Sequence, residues 1–360
     1  MTYKYKILSI DGGGIRGIIP AMMLAEIERR TSQPIAELFD MIAGTSTGGI
    51  LALGLTKPGD HDFDQPQYSA KDLVELYRQE GQRIFREIFP GKTDECLFNP
   101  KHRADCKDAV LTEYLGNTPI AAALKEVFVT SYDTQLRKPI FFTSNRRAED
   151  CDRDLNFRKI CSGFTLKQAA MATSAAPTFF EPYQIETAQR DTLCGIYSLV
   201  DGAVYANNPT LLALLEAQMS YYRDRQEELH LKEILIVSLG TGSMAQPYPY
   251  EQIRGWGKLQ WIQPFIQMTF DGQSEAVDSQ LSSLLRTSGS ADNYYRFQTE
   301  LNEEFNAMDD VSDTSLHRLM ALSKRMIAER ETEFDRLCKL LTHQLSPSRF
   351  SFPKMRSPYL

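Results

Sequence analysis

Residues 40–50, Asp-Met-Ile-Ala-Gly-Thr-Ser-Thr-Gly-Gly-Ile, constrain this chain more than any other stretch. A short apolar run ends in Gly44-Thr45-Ser46-Thr47-Gly48 and passes at once into a helix-forming run that reaches Leu55. A serine flanked two residues away on each side by glycine, between strand and helix, is the pattern of a nucleophile elbow. Such a turn strains the serine's backbone and lifts its hydroxyl into open space above a helix N-terminus. Gly44 and Gly48 leave room for the turn and for a substrate. A structural Gly/Ser turn produces the same five letters, and it is the strand–turn–helix setting that favours the nucleophile.

Two such units stand in a row. Residues 3–10 are β-rich and run into Asp11-Gly12-Gly13-Gly14-Ile15-Arg16-Gly17. Residues 18–30 then carry helical spacing, with Pro20 tolerated in the first turn. The repeated unit predicts an α/β fold whose parallel, helix-covered sheet gathers its loops at the strands' C-terminal ends. Residues 70–89 read as helix, 127–132 and 139–144 as neighbouring strands, and 166–174 as a small-residue helix halted by Pro177. Residues 197–200 form a strand ending at Asp201-Gly202-Ala203, and residues 209–222 a helix opened by proline. The apolar run 233–239 suits a buried parallel strand. Residues 294–299 offer a last strand, and 313–345 one long helix with an apolar stripe. Residues 58–68, 90–108 and 145–156 read as polar excursions. No internal repeat divides the chain, so residues 1–345 are expected to form one domain, followed by a flexible tail over 346–360.

Composition narrows the function. With 42% hydrophobic and 24% charged residues, the chain has the make-up of a soluble globular protein. A net charge of −7 gives no electrostatic case for nucleic-acid binding. The six cysteines, at 96, 106, 151, 161, 194 and 338, form no dense framework and suggest reduced thiols in a cytosolic compartment. Cys96, His102, Cys106 and Cys151 contain no C-x₂-C pair, so no metal is expected. Residues 1–10 lack the apolar core and cleavage site of a signal peptide, and the apolar window 41–55 is too short to cross a bilayer. Residues 256–270 hold both tryptophans with Leu259, Ile262, Phe265 and Phe270, interrupted by Pro264. They suit a lipid-facing lid and a core helix equally.

Two chemistries compete for the first glycine loop. Gly12, Gly14 and Gly17 fit G-x-G-x-x-G between strand and helix, the context of a dinucleotide fingerprint. The same N–H groups stabilise any anion, including a developing oxyanion. A dinucleotide site needs an acidic residue at the end of its second strand. Here that strand ends in Ser46 and Asp40 lies at its beginning, which favours an oxyanion hole.

A serine nucleophile needs a base. None of His61, His102, His230, His317 and His343 occupies a loop after a late strand. The best-placed carboxylate is Asp201. Alone, Asp201-Gly202 reads as an ordinary turn. Beside an elbow that lacks a histidine, a Ser–Asp dyad accounts for both facts.

The blocks Asp11–Gly17, Gly44–Gly48 and Asp201–Ala203 resemble, in order, the three signatures of the patatin-like phospholipases. The resemblance runs over about residues 6–210, and residues 233–242 look like the family's next strand. It implies a three-layer α/β/α fold with a mostly parallel sheet, and serine acyl hydrolysis without metal or other cofactor. By carry-over Ser46 is the nucleophile and Asp201 the base, while Gly12, Gly13, Gly14 and Arg16 form the oxyanion hole. The implied substrate is a phospholipid or galactolipid at a membrane surface, met by a cytoplasmic, peripherally bound enzyme. Some bacterial relatives are defence effectors switched on by cyclic nucleotides, which leaves a nucleotide activator and a homodimer as open readings. A non-catalytic nucleotide-binding module using the glycine loop is the alternative of another class.

Overall fold

The structure is a computed structural model, and it describes residues 3–90, 99–145, 158–160, 163–186, 196–245, 247–305 and 307–343. Nine strands among the described residues form one sheet. They are β1 (Tyr5–Ile10), β2 (Met41–Gly44), β3 (Glu126–Asp133), β4 (Lys138–Thr143), β5 (Arg158–Ile160), β6 (Tyr183–Glu186), β7 (Ile196–Asp201), β8 (Ile234–Leu239) and β9 (Tyr294–Phe297). The path runs β9-β8-β1-β2-β3-β4-β5, with every neighbouring pair parallel except β3–β4.

Both faces of the sheet are covered, and the strand sequences show why. On β1, Leu8 and Ile10 enter one core while Ile7 enters the other. On β8, Leu235, Val237 and Leu239 alternate in the same way with Ile234 and Ile236. Period-two alternation of wholly apolar residues is what a strand buried on both faces requires. One face carries α1 (Ile18–Thr31), α2 (Thr47–Thr56), α3 (Ala70–Ile84), α4 (Ala104–Leu115), α5 (Leu166–Thr173), α8 (Asp313–Glu329) and α9 (Glu331–Thr342). The other carries α6 (Thr210–Arg225) and the C-terminal half of α7 (Lys258–Thr287). The result is the expected three-layer α/β/α arrangement.

Three expectations change. The helical pattern 313–345 is two helices meeting at Arg330, whose backbone (φ −110°, ψ 25°) leaves the helical region. Of residues 256–270, Trp256 and Gly257 lie outside the helix and residues 258–270 open a single helix of 30 residues, α7, which carries Pro264 inside it. Strand β7 is not part of the parallel set: it runs antiparallel to both β3 and β6. The predicted tail lies outside the described residues, as do Cys96, Cys151 and most of the 145–156 excursion. Among the described residues Cys106 and Cys338 are free thiols, no cluster suits a metal ion, and no helix is long and apolar enough to cross a membrane.

Candidate active site

Strand β3 brings the two ends of the site together. Along one flank of β3, β2 pairs in parallel as far as Gly44 opposite Val129. Strand β7 arrives antiparallel on the same flank, with Asp201 opposite Ser131. The two strands therefore point at each other across the two-residue step from Val129 to Ser131. The residues that follow β2 and end β7 meet head-on, not side by side along a parallel edge.

Ser46 occupies a left-handed backbone conformation (φ 55°, ψ −122°) between β2 and α2. That region is strained for any residue but glycine, and it survives only where the surroundings hold it. The holding groups are visible. A side chain at Gly44 would place its Cβ 2.1 Å from the Gly48 carbonyl oxygen, and one at Gly48 would lie 2.2 Å from that of Ile10. The Ser46 N–H donates to Thr173 Oγ1 at 2.9 Å. Thr45 Oγ1 donates to the Ala206 carbonyl at 2.7 Å and touches Thr130 Oγ1 at the same distance.

Asp201 is buried, 1% exposed, and its Oδ1 accepts the Ala203 N–H at 2.8 Å. Its own N–H donates to the Ala175 carbonyl at 3.0 Å. Burial pushes its carboxyl up to about 6, against the opposing pull of a hydrogen bond from Ser46, the Ala203 N–H and the positive charge of Lys107. A carboxylate titrating there is charged at neutral pH yet basic enough to take a proton.

The glycine loop leads into a 3₁₀ turn, Gly14–Gly17, ahead of α1. Its N–H groups are unequally free. Gly12 donates to the Asn207 carbonyl at 3.1 Å and Ile15 to that of Met308 at 2.8 Å. Those of Gly13 and Gly14 have no acceptor among the described residues, and both residues line the same cavity as Ser46 and Asp201. Gly14 itself sits at φ 59°, against the Met308 carbonyl. Of the four oxyanion candidates, Gly12 has thus committed its N–H elsewhere. Arg16 is buried away from the cavity, its Nε reaching the Gly13 carbonyl at 3.4 Å, a brace for the loop. Burial draws its guanidinium down to about 10.

The cavity has a volume of about 200 Å³. Ser46, Thr47, Gly13, Gly14 and Asp201 form its polar floor, and Ile50, Leu76, Phe179, Phe180, Phe265 and Phe270 are among its walls. No histidine lines it. His102, the one nearest, bonds Asp309 at 2.6 Å behind the Phe179 and Phe180 rings. On α7, Phe265 both lines the cavity and stands 63% exposed, in a row with Leu259, Ile262 and Met268. The segment is therefore a cavity wall with an open apolar outer face, not a buried core helix.

A sequence profile described as "Patatin-like phospholipase" matches residues 8–214, more than half of the chain. The chain belongs to the patatin-like phospholipase family. Patatin-2-Kuras 3 of Solanum tuberosum is 33% identical over 337 residues, which cover 89% of this chain and 83% of that protein. Probable inactive patatin-3-Kuras 1 of the same plant is 32% identical over 342 residues, 91% and 87% of the two chains. The solved structure of VipD from Legionella pneumophila is 15% identical, with a TM-score of 0.33 over 90% of this chain and 67% of its own, too loose a likeness to argue from. Family members are lipid acyl hydrolases. That a relative is named as probably inactive means that membership does not decide catalysis, and the side chains of each patatin-like site must.

Several of those side chains escape a reading of the sequence. Arg296, on β9, forms a bidentate pair with buried Asp11 at 2.6 and 3.0 Å and also bonds Ser238 Oγ. Met308 supplies the carbonyl against the glycine loop. Thr173, Ala175 and Lys107 surround the Ser46–Asp201 pair. None lies in a signature block. The only available hint was Lys107 itself, a charged residue three and four positions before Val110 and Leu111, on the same apolar face of α4.

Proposed function

We propose that this chain hydrolyses fatty acyl esters of membrane glycerolipids, as a phospholipase A-type serine esterase. The observation that carries the proposal is the meeting of a strained serine with a buried carboxylate, and no histidine, in an apolar cavity. Asp201 takes the Ser46 proton as the hydroxyl attacks the ester carbonyl. The N–H groups of Gly13 and Gly14 hold the tetrahedral oxyanion, with the positive end of the following helix adding to the field. Asp201 returns the proton to the leaving alcohol. Water then repeats the sequence against the acyl-serine and frees the fatty acid. The aromatic and aliphatic walls accept an acyl chain, and the exposed row on α7 fits a membrane surface, where the substrate lies.

Nucleotide binding at the glycine loop is less well supported. The N–H groups of Gly12 and Ile15 already have carbonyl acceptors, and Met308 and Thr241 cover the loop from outside.

The test is fatty acid release from phosphatidylcholine vesicles, with Ser46→Ala, Asp201→Asn and His102→Gln beside the wild type. The first two should abolish release in folded protein and the third should not. A His102→Gln loss equal to that of Ser46→Ala, in folded protein, would replace the dyad with a histidine-based hydrolase. A fluorophosphonate probe should label Ser46, and active protein that resists labelling would count against the nucleophile.

A further inference from the structure

Three consecutive residues hold both members of the dyad. Thr173 Oγ1 accepts the Ser46 N–H at 2.9 Å. The Ala175 carbonyl accepts the Asp201 N–H at 3.0 Å. Between them, the Ser174 carbonyl accepts the Lys107 ammonium at 2.8 Å. Ser174 caps the C-terminus of α5, where the last carbonyls have no partner within the helix and the dipole is negative. Its hydroxyl and N–H both turn back to the Ala170 carbonyl, at 2.7 and 3.2 Å, so its own carbonyl is what faces α4.

Lys107 is an expensive way to satisfy one carbonyl. It is 1% exposed, and no carboxylate pairs with it among the described residues. Its ammonium sits over the Phe180 ring, 3.7 Å from the centroid, a cation–π contact that offsets part of the desolvation. A methionine would fill the same space with no charge to bury. Lys107, Ser174 and Phe180 all line the cavity that holds Ser46 and Asp201.

We propose that Lys107 is a positioning residue for the dyad: by anchoring Ser174 it fixes the spacing of Thr173 and Ala175, and its charge favours the ionised form of Asp201. The proposal rests on the reading of Ser46 and Asp201 as nucleophile and base. The charged and titratable groups around Lys107 are few. Asp108 on the same helix is bound to Lys167 of α5 at 3.0 Å. Asp201 faces Lys107 from β7, Tyr77 of α3 lines the same cavity, and His102 with Asp309 stands behind Phe180. Burial draws the Lys107 amine down to about 7, so both its charge and that of Asp201 are set within the neutral range.

The experiment compares wild type with Lys107→Met and Lys107→Gln on p-nitrophenyl butyrate, a soluble ester, from about pH 5 to about pH 9. Lys107→Met should lower kcat by about 10- to 100-fold, the worth of a charged hydrogen bond, with KM changed by less than about threefold. The acid limb of kcat/KM should move up in pH by about half a unit or more in both variants, since both lose the charge. Labelling of Ser46 by the fluorophosphonate should slow in parallel with kcat. A folded Lys107→Met enzyme with wild-type kcat and an unmoved acid limb would overturn the proposal. So would the failure of both variants to fold, which would make Lys107 a stability residue only. Ser46→Ala and Asp201→Asn are run alongside. If they still hydrolyse the ester, the reading of the dyad fails; if they do not and Lys107→Met behaves as wild type, only the role of Lys107 fails.

Discussion

Residues 5–208 and residues 241–342 build one cavity by different means. The first region contributes its motif residues by local sequence: a glycine turn before α1, a strained serine before α2, an aspartate ending β7, with Thr173, Ala175 and Lys107 added by contact. Each motif can be seen in a window of a few residues, because the backbone conformation demands particular residue types there. The second region contributes by contact at a distance. Arg296 neutralises Asp11, Met308 accepts the Ile15 N–H, Asp309 anchors His102, and α7 supplies Phe265, Ile266 and Phe270 to the walls. The contrast teaches that chemistry and support are recorded differently in a chain. Reacting groups sit in motifs, while the groups that hold them sit wherever the fold happens to pass.

That division can be tested from both sides. The severest losses belong to the first region. Ser46→Ala and Asp201→Asn should each reduce fatty acid release by on the order of 10⁴ or more, with circular dichroism unchanged. Next comes Arg296→Met, which strands Asp11 as an uncompensated buried charge. It should destabilise the fold by about 3–5 kcal/mol in urea titration. A loss below about 1 kcal/mol would mean that the second region merely wraps the first.

Asp201 offers a third test, of opposite sign. Its carboxyl is raised from 3.8 to about 6 in the folded state. Between those values the folded chain keeps a proton that the unfolded chain has released, so stability falls as pH rises through that window and stays lower above it. Asp201→Asn should therefore stabilise the protein by about 3 kcal/mol at about pH 8, and by little at about pH 4. Equal melting temperatures at both pH values would contradict the raised carboxyl. The same titration makes kcat/KM of the wild type climb with pH through about 6.

The mildest effect belongs to α7. Phe265→Ser with Leu259→Ser should lower activity on vesicles by about three- to tenfold through weaker surface binding. Activity on p-nitrophenyl butyrate should change less than that on vesicles. Equal losses on both substrates would make these residues walls of the cavity and nothing more.

Much of the α/β framework could be read in advance, because strands buried on both faces announce themselves as continuous apolar runs. The elbow, the glycine loop and Asp201 were readable for the same reason that they are strained or tightly turned. The antiparallel direction of β7 was not, since an apolar strand carries no mark of its partner's direction. Nor was the break at Arg330, where an apolar stripe continues across two helices and hides the joint. The unequal roles of Gly12, Gly13 and Gly14 depend on Asn207 and on the open cavity. Lys107 hid behind the ordinary expectation that a lysine on a helix faces water.

The way β2 and β7 share one flank of β3 has a consequence for how the Ser46–Asp201 pair tolerates change. The gap between alcohol and acid is braced by residues 173–175 and gauged by a single step of β3, at Thr130. One residue inserted there would lengthen the gauge by about 3.3 Å and turn the following side chains to the opposite face. Loops around the cavity other than the segment 173–175 can grow or shrink without touching that spacing, so divergence in this protein has freedom at its rim and almost none at its centre.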